Sequence, residues 1–181
     1  MAEPNTQGNK RFIIWMVVAI VIVAADQLTK WAIVEWVALY DKVPLNSFVN
    51  LTHQRNPGAA FSFLADAGGW QRWFFVTLAT GVSCVIAVWL WRIRDQGQAV
   101  LGAGLALVLG GAVGNLIDRI MLGYVVDFIQ VRFAGVPFFD PFPSFNVADA
   151  GITVGAALLI IDALFFSGRE ENAKPEQQTD S

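Results

Sequence analysis

The sequence has few charged residues and almost none of the side chains that commonly bind transition metals. Of its 181 residues, 15% are charged, one is cysteine and one is histidine. Cys84 has no second cysteine with which to form a disulfide within the chain. Cys84 and His53 are too few for a zinc site of the usual kind, so a metal ion would have to be bound by carboxylates alone. We therefore expect neither a metal nor a cofactor.

A run of basic residues is also lacking. The 12 lysine and arginine residues are outnumbered by 15 aspartate and glutamate residues, and the net charge is −3. Proteins that bind nucleic acid usually present clustered basic side chains to the phosphates. We therefore expect no nucleic-acid partner.

Apolar residues, in contrast, are abundant. They make up 55% of the chain, and the mean hydropathy is +0.52. A helix that crosses a bilayer needs about 20 apolar residues, and four segments qualify, at about 12–36, 73–91, 99–117 and 147–166. The first could instead be a cleaved signal peptide. The apolar character resumes after Asp26, however, and three further spans follow, which favours an all-α membrane protein.

Basic residues flank these spans on one side. They precede the first span and follow the second and the fourth, as Lys10, Arg11, Arg92, Arg94, Arg169 and Lys174. The positive-inside rule makes this side cytoplasmic. We therefore predict a single polytopic domain over 1–166 with both termini in the cytoplasm and with loops 37–72 and 118–146 outside. The polar residues 167–181 are predicted to form a disordered cytoplasmic tail.

The two outside loops contain local structural signals. The stretch KVPLNSFVNLTHQ alternates in part between apolar and polar residues, which predicts a short sheet. Asn56-Pro57-Gly58 indicates a turn. The following AAFSFLADAGGW predicts a short amphipathic helix at the membrane surface. The many phenylalanines of loop 118–146 are typical of anchors at the membrane boundary, or of contacts with a substrate.

Polar residues within apolar spans need partners. Asp26 and Lys30 lie four residues apart on one helical face, where they can form an ion pair or serve a function. Lys30 could also extend to the outer surface. In the third span, small residues recur every four positions, which predicts close helix packing. Asp118 continues this stripe, beside Asn115 and Arg119, and could form a salt bridge at the helix end.

Two aspartates raise the possibility of proteolysis. Asn146 is placed to cap the fourth span, so Asp149 would lie near the third helical position, where a carboxylate is favoured by the helix dipole. Asp127 lies in the apolar stretch VVDFI. Two neighbouring carboxyls cannot both ionise easily, so one can hold a proton while the other activates water. The sequence alone leaves three alternatives: a peptidase, a small proton-coupled transporter and a membrane assembly factor.

Five stretches together resemble the lipoprotein signal peptidases, or signal peptidase II, of bacteria. In chain order they are DQLTK (26–30), NPGAAFS (56–62), GNLIDR (114–119), VVDFI (125–129) and FNVADAGI (145–152). Any one of them is a weak signal, but their order and their positions relative to four spans are specific. The resemblance covers nearly the whole chain except both tails. Residues 130–144 do not align with the family with confidence, which leaves the structure of that loop open.

The resemblance implies an aspartic endopeptidase of the bacterial inner membrane, with four transmembrane helices, a small extracytoplasmic β-sheet and a short interfacial helix. The implied substrate is a prolipoprotein with diacylglycerol on its cysteine. The implied cut lies just before that cysteine, near the extracytoplasmic face of the inner membrane. The implied catalytic residues are Asp127 and Asp149. The other matching positions, implied to support the site or bind substrate, are Asp26, Lys30, Asn56, Gly58, Asn115, Asp118, Arg119, Asn146 and Ala148. We expect Asn115, Asp118 and Arg119 to hold the segment of Asp127 by hydrogen bonds.

Overall fold

The fold consists of four long helices and a small sheet. The computed structural model describes residues 6–58, 69–133, 136 and 140–166. Over these residues the helices are α1 (Thr6–Trp36), α2 (Trp70–Ile93), α3 (Ala99–Met121) and α4 (Val147–Phe165), and the strands are β1 (Lys42–Pro44), β2 (Val49–Asn56) and β3 (Val125–Val131). All four helices are long and apolar enough to cross a membrane. The predicted fold class is confirmed, and a helix lies at each of the four predicted spans.

Three helices extend beyond the predicted spans by more than a residue or two. α1 begins at Thr6 and not at residue 12, α2 begins at Trp70 and not at residue 73, and α3 continues past residue 117 to Met121. The prediction followed apolar character alone, but a helix satisfies its own backbone hydrogen bonds and can continue into polar sequence. As a consequence, Asp118 and Arg119 lie in the last turns of α3 and not in a loop.

α3 lies at the centre and packs against each of the other three helices. Its glycines allow the close approach. A Cβ atom at Gly110 would lie 2.7 Å from the carbonyl oxygen of Ala19 in α1, and one at Gly104 would lie 3.0 Å from the carbonyl oxygen of Gly155 in α4. A Cβ atom essentially never lies as close to another heavy atom as the 2.7 Å at Gly110. The predicted small-residue stripe is therefore a packing surface.

The three strands form an antiparallel sheet in the order β1-β2-β3. The predicted sheet in loop 37–72 is confirmed by β1 and β2. The strand β3 was not predicted, because VVDFIQV lacks alternation and its first four residues are all buried. In the sheet, Gln54 of β2 lies opposite Asp127 of β3. The sheet contacts α1, and His53 Nδ1 lies 2.9 Å from the carbonyl oxygen of Val37, the residue that follows α1.

Three predictions fall on residues outside the described part of the chain. Most of the predicted interfacial helix, the tail 167–181 and two of the loop phenylalanines, Phe138 and Phe139, belong to this group. Among the described aromatic residues of loop 118–146, Phe133 and Phe142 are exposed and lie 6.1 Å apart between ring centroids. Phe128 of β3, in contrast, is buried in a hydrophobic cluster with Ile33 and Val37.

Candidate active site

Asp127 lies in strand β3, and Asp149 lies at the start of the neighbouring helix α4. Asp149 is the third residue of α4, and its side chain completes a capping box with Asn146. The predicted cap and the predicted position of Asp149 are both confirmed. The helix follows β3 closely in space, because Phe145 forms a bridge with Ile129 immediately before α4 begins. This bridge places the first turn of α4 beside the strand that carries Asp127.

Asn146 connects the two aspartates directly. Its Nδ2 donates to Asp127 Oδ1 at 2.8 Å, and its Oδ1 accepts from the backbone N–H of Asp149 at 2.9 Å. Its own backbone N–H donates to Asp149 Oδ2 at 3.3 Å. Asn146 is fully buried, so water does not compete for these hydrogen bonds. One asparagine thus fixes both carboxyl groups relative to each other.

The two remaining carboxyl oxygens also receive hydrogen bonds from amides. Asn56 Nδ2 donates to Asp127 Oδ2 at 2.9 Å, and Asn115 Nδ2 donates to Asp149 Oδ1 at 2.8 Å. The Asn56 amide is itself oriented, since its Oδ1 accepts from the backbone N–H of Gly58 at 2.9 Å. Gly58 has a φ of 101°, a conformation that glycine adopts at little cost. All four oxygens of the pair are therefore held in place.

The environment of Asp127 favours its protonated form up to a higher pH than is usual for an aspartate. Burial raises the pKa of Asp127 to about 6, and the nearby Asp149 carboxylate adds to the increase. Hydrogen bonds from Asn56 and Asn146 and the charge of Lys30 act in the opposite direction. A carboxyl group with such a pKa can exchange a proton at physiological pH, which general acid–base chemistry requires.

A buried ion cluster lies beneath the pair. Lys30 Nζ lies 2.8 Å from Asp26 Oδ2 and 2.9 Å from Asp118 Oδ2. The predicted Asp26–Lys30 ion pair is confirmed. The prediction that Lys30 could extend to the outer surface is wrong, because its side chain is only 4% exposed. Two carboxylates attract the ammonium into the bundle more strongly than the boundary attracts it outward.

The predicted supporting residues divide between the two aspartates. Asp118 Oδ2 accepts the backbone N–H of Val126 at 3.0 Å and so holds the segment of Asp127, as predicted. The prediction is wrong for the side chain of Asn115, which donates to Asp149 instead, because its position one turn earlier in α3 brings it beside α4. It is also wrong for Arg119, whose Nη1 donates to the Asn115 carbonyl oxygen at 3.3 Å and whose guanidinium lies over the Phe75 ring.

Ala148 contributes through its backbone. Its N–H donates to Asp26 Oδ1 at 2.9 Å, and its side chain is fully buried. A larger side chain would have to displace α3, since a Cβ atom at Gly114 would already lie 3.3 Å from the Ala148 Cβ. The sequence match at this small residue thus corresponds to a close contact between α4 and α3.

Sequence reasoning missed two contributing side chains. Gln27 Nε2 donates to Asp118 Oδ1 at 2.9 Å and to Asp26 Oδ2 at 3.2 Å, so it bridges both carboxylates of the ion cluster. Arg72 of α2 donates to the last carbonyl oxygens of α3, including that of Arg119 at 2.8 Å. Gln27 lies within DQLTK and could have been noted there, whereas no local signal indicates the role of Arg72.

An apolar cavity of about 490 Å³ opens beside Asp149. It is lined by Phe142 and Phe145 on one side and by Ala150, Thr153 and Val154 of α4 on the other. Phe142 and Phe145 lie 6.3 Å apart between ring centroids, at 80° to each other. A peptide or an acyl chain in this cavity would contact Asp149. Among the described residues, no group of three or more His, Cys, Asp and Glu side chains could hold a metal ion.

Known proteins are similar to this chain in both sequence and fold. Residues 18–165 match the family model described as Signal peptidase (SPase) II. The chain is 47% identical over 169 residues to the lipoprotein signal peptidase of Acinetobacter baumannii, with 90% of this chain and 93% of that protein aligned. It is also 47% identical over 164 residues to the lipoprotein signal peptidase of Shewanella baltica, with 90% and 91% aligned.

Two solved bacterial membrane enzymes have a similar structure. One, determined by the in meso method at 1.9 Å resolution, has a TM-score of 0.71 and 30% identity and covers 85% of this chain and 94% of its own. The other, at 2.3 Å resolution, has a TM-score of 0.72 and 29% identity and covers 92% and 94%. Nothing in these comparisons supports the transporter alternative. The chain is a multi-pass membrane protein and an aspartic-type peptidase, and it belongs to the signal peptidase II family.

Proposed function

We propose that the protein removes signal peptides from prolipoproteins by cleaving before the lipid-modified cysteine, with Asp127 and Asp149 as the catalytic pair. The observation that supports this most directly is the fixation of all four carboxyl oxygens by Asn56, Asn115 and Asn146. Such fixation preorganises the two groups for a reaction in which water is the nucleophile. The relatives named above are lipoprotein signal peptidases, which supports the same activity here.

The pair would act by general acid–base catalysis. The raised pKa of Asp127 favours the proton on this carboxyl, which leaves Asp149 as the base. Asp149 takes a proton from water as the water oxygen attacks the scissile carbonyl carbon, and Asp127 donates its proton to the carbonyl oxygen. When the C–N bond breaks, Asp149 gives its proton to the leaving amine, a hydroxyl group of the tetrahedral diol returns a proton to Asp127, and the carboxylic acid product forms. The reaction consumes one water molecule and needs no metal.

The lipid of the substrate would provide binding energy. The apolar cavity beside Asp149, with Phe142 and Phe145 on its wall, suits an apolar group of the substrate. Each buried methylene contributes roughly 0.8 kcal/mol. That energy can hold the peptide bond beside the pair in a geometry that an unlipidated peptide reaches rarely. Membrane lipids would surround the four helices and present the substrate laterally.

The orientation in the bacterial cytoplasmic membrane follows from charge. Arg11 and Arg92 lie near one end of the helix bundle, and the sheet and the aspartates lie at the other. Basic residues near spans are retained in the cytoplasm. We therefore place both termini in the cytoplasm and the active site near the extracytoplasmic face.

The direct test is cleavage in a purified system. The protein in detergent or lipid is incubated with a diacylglyceryl-modified precursor and, in parallel, with the unlipidated precursor. We expect product whose mass places the cut before the modified cysteine, no effect of EDTA and much slower cleavage of the unlipidated chain. Asp127→Asn and Asp149→Asn should each abolish cleavage and keep thermal stability near that of the parent. Undiminished cleavage by either variant would refute the assignment of the pair.

A further inference from the structure

Lys30 uses all three donors of its ammonium group inside the helix bundle. They reach Asp26 Oδ2 at 2.8 Å, Asp118 Oδ2 at 2.9 Å and Asn115 Oδ1 at 2.9 Å. An ammonium has three N–H donors and no acceptor, so its hydrogen-bonding capacity is complete. A lysine that served only to neutralise one carboxylate would not need three convergent partners from two helices.

Each carboxylate bound by Lys30 also binds the residue immediately before a candidate catalytic aspartate. Asp118 Oδ2 accepts the N–H of Val126, which precedes Asp127. Asp26 Oδ1 accepts the N–H of Ala148, which precedes Asp149. The two catalytic segments are far apart in the chain, on β3 and α4, but both are connected to one ammonium through one carboxylate each.

The third partner adds a contact with a catalytic side chain. Asn115 Oδ1 accepts from Lys30, which orients the amide so that Nδ2 donates to Asp149 Oδ1 at 2.8 Å. With the amide reversed, its oxygen would face the carboxylate and the two would repel each other. The Lys30 ammonium, together with Asn146 Nδ2 at 3.2 Å from the same oxygen, thus favours the amide orientation that Asp149 needs.

We propose that Lys30 is a positioning residue, whose ammonium sets the separation and orientation of Asp127 and Asp149. The inference rests on the proposed function, because it assumes that these two aspartates perform the cleavage. Lys30 is only 3% exposed and is separated from the aspartates by other groups, so it acts through Asp26, Asp118 and Asn115 and does not contact the substrate. A shift of about 1 Å between reacting groups can reduce a rate by about 100-fold.

Two variants test the proposal. Lys30→Met keeps most of the length of the side chain but leaves two buried carboxylates without a counter-charge, which destabilises a fold strongly. The triple variant Lys30→Met, Asp26→Asn, Asp118→Asn removes the counter-charge together with both carboxylates, so no buried charge is left uncompensated. Lys10→Met, the same substitution at an exposed position of α1, is the matched control.

The measurements are kcat, KM and thermal unfolding with the lipidated precursor. We expect the triple variant to unfold at a temperature close to that of the parent, with kcat lowered by about 100-fold and KM changed by less than about threefold. Lys10→Met should keep the parental kcat. A parental kcat in the triple variant would overturn the proposal, as would a change confined to KM. Failure of both Lys30 variants to fold would also overturn it, since Lys30 would then be a folding determinant.

A pH profile gives a readout that a purely structural role would not change. Asp127 is surrounded by Lys30 of α1, Arg119 and Asp118 of α3 and Asp149 of α4, and β2 contributes the uncharged Asn56. Loss of the Lys30 charge alone should move the pH limb governed by Asp127 to higher pH. The same assay includes Asp127→Asn. Absence of cleavage by the parent would refute the proposed function, whereas an unshifted limb in folded Lys30→Met would refute only the role of Lys30.

Discussion

The side-chain amide of Asn146 donates to Asp127 Oδ1 at 2.8 Å and is fully buried. The same residue caps α4 through the backbone N–H of Asp149. A single side chain therefore stabilises the start of a helix and joins two carboxyl groups that are 22 positions apart in the sequence. Helix capping and active-site geometry depend on the same hydrogen bonds, so a substitution here should affect both properties.

Asn146→Ala should separate these effects by their size. Loss of the cap should lower the free energy of unfolding by about 1 kcal/mol. Loss of the two hydrogen bonds that the Asn146 side chain makes with Asp127 and Asp149 should lower kcat by about 100-fold. The measurements are thermal unfolding and cleavage of the lipidated precursor. Asn46→Ala is the matched control, because Asn46 caps only an exposed turn at Phe48 and Val49. Equal activity of the two variants would contradict the role given to Asn146.

The pH dependence of kcat/KM should report the pair. Its apparent pKa values belong to both carboxyls together, and activity should fall when both are protonated or both are ionised. Since burial raises the pKa of Asp127 to about 6, the basic limb should lie near that pH. Below it Asp127 holds its proton, and above it the acid is lost. A profile without an ionisation limb over the range in which the protein stays folded would disagree with this assignment.

Asn56→Ala should move that basic limb in a defined direction. The hydrogen bond from Asn56 lowers the pKa of Asp127, so its removal should raise the pKa and shift the limb to higher pH. The carboxyl oxygen Oδ2 also loses its fixed partner, so kcat should decrease in addition. The check is the full pH profile of the variant beside that of the parent. A limb that moves to lower pH would show that the hydrogen bond favours the protonated form.

Glycines of different helices should tolerate substitution by alanine very unevenly. Gly110→Ala would place a Cβ atom 2.7 Å from the carbonyl oxygen of Ala19, so α1 and α3 must separate, at a cost of about 1–3 kcal/mol. Gly81→Ala in α2 is the matched control, since nothing lies within 4 Å of its Cβ position, and alanine should stabilise that helix by up to about 1 kcal/mol. Thermal unfolding in one detergent compares them. Similar unfolding temperatures for both variants would contradict the packing described for α3.

Topology can be tested by cysteine labelling in intact cells. In a Cys84→Ala background, Ser47→Cys lies in the exposed turn between β1 and β2, and Gln96→Cys lies in the exposed connection between α2 and α3. We expect a membrane-impermeant thiol reagent to label the first site in intact cells and the second only after the membrane is opened. The reverse pattern would place the aspartates on the cytoplasmic side.

Local sequence accounts for the elements whose causes are local. The four helices follow from apolar length, since only a helix satisfies every backbone group within the hydrocarbon layer. The cap at Asn146 and the pair of Asp26 and Lys30 follow from spacings of three and four residues. The sheet of β1 and β2 follows from partial alternation. Five short stretches in order were enough to indicate the family and its two aspartates, although no one stretch would have been.

Tertiary structure decided the arrangement of the polar groups. β3 lacks alternation because its first residues are buried on both faces, so only its pairing with β2 reveals it as a strand. Asn115 reaches Asp149 and not the segment of Asp127, because helix packing brings that side of α3 beside α4. Lys30 is buried because two carboxylates from different helices meet at one point. Contacts of this kind join residues up to 122 positions apart, and a periodic pattern within one segment carries no information about them.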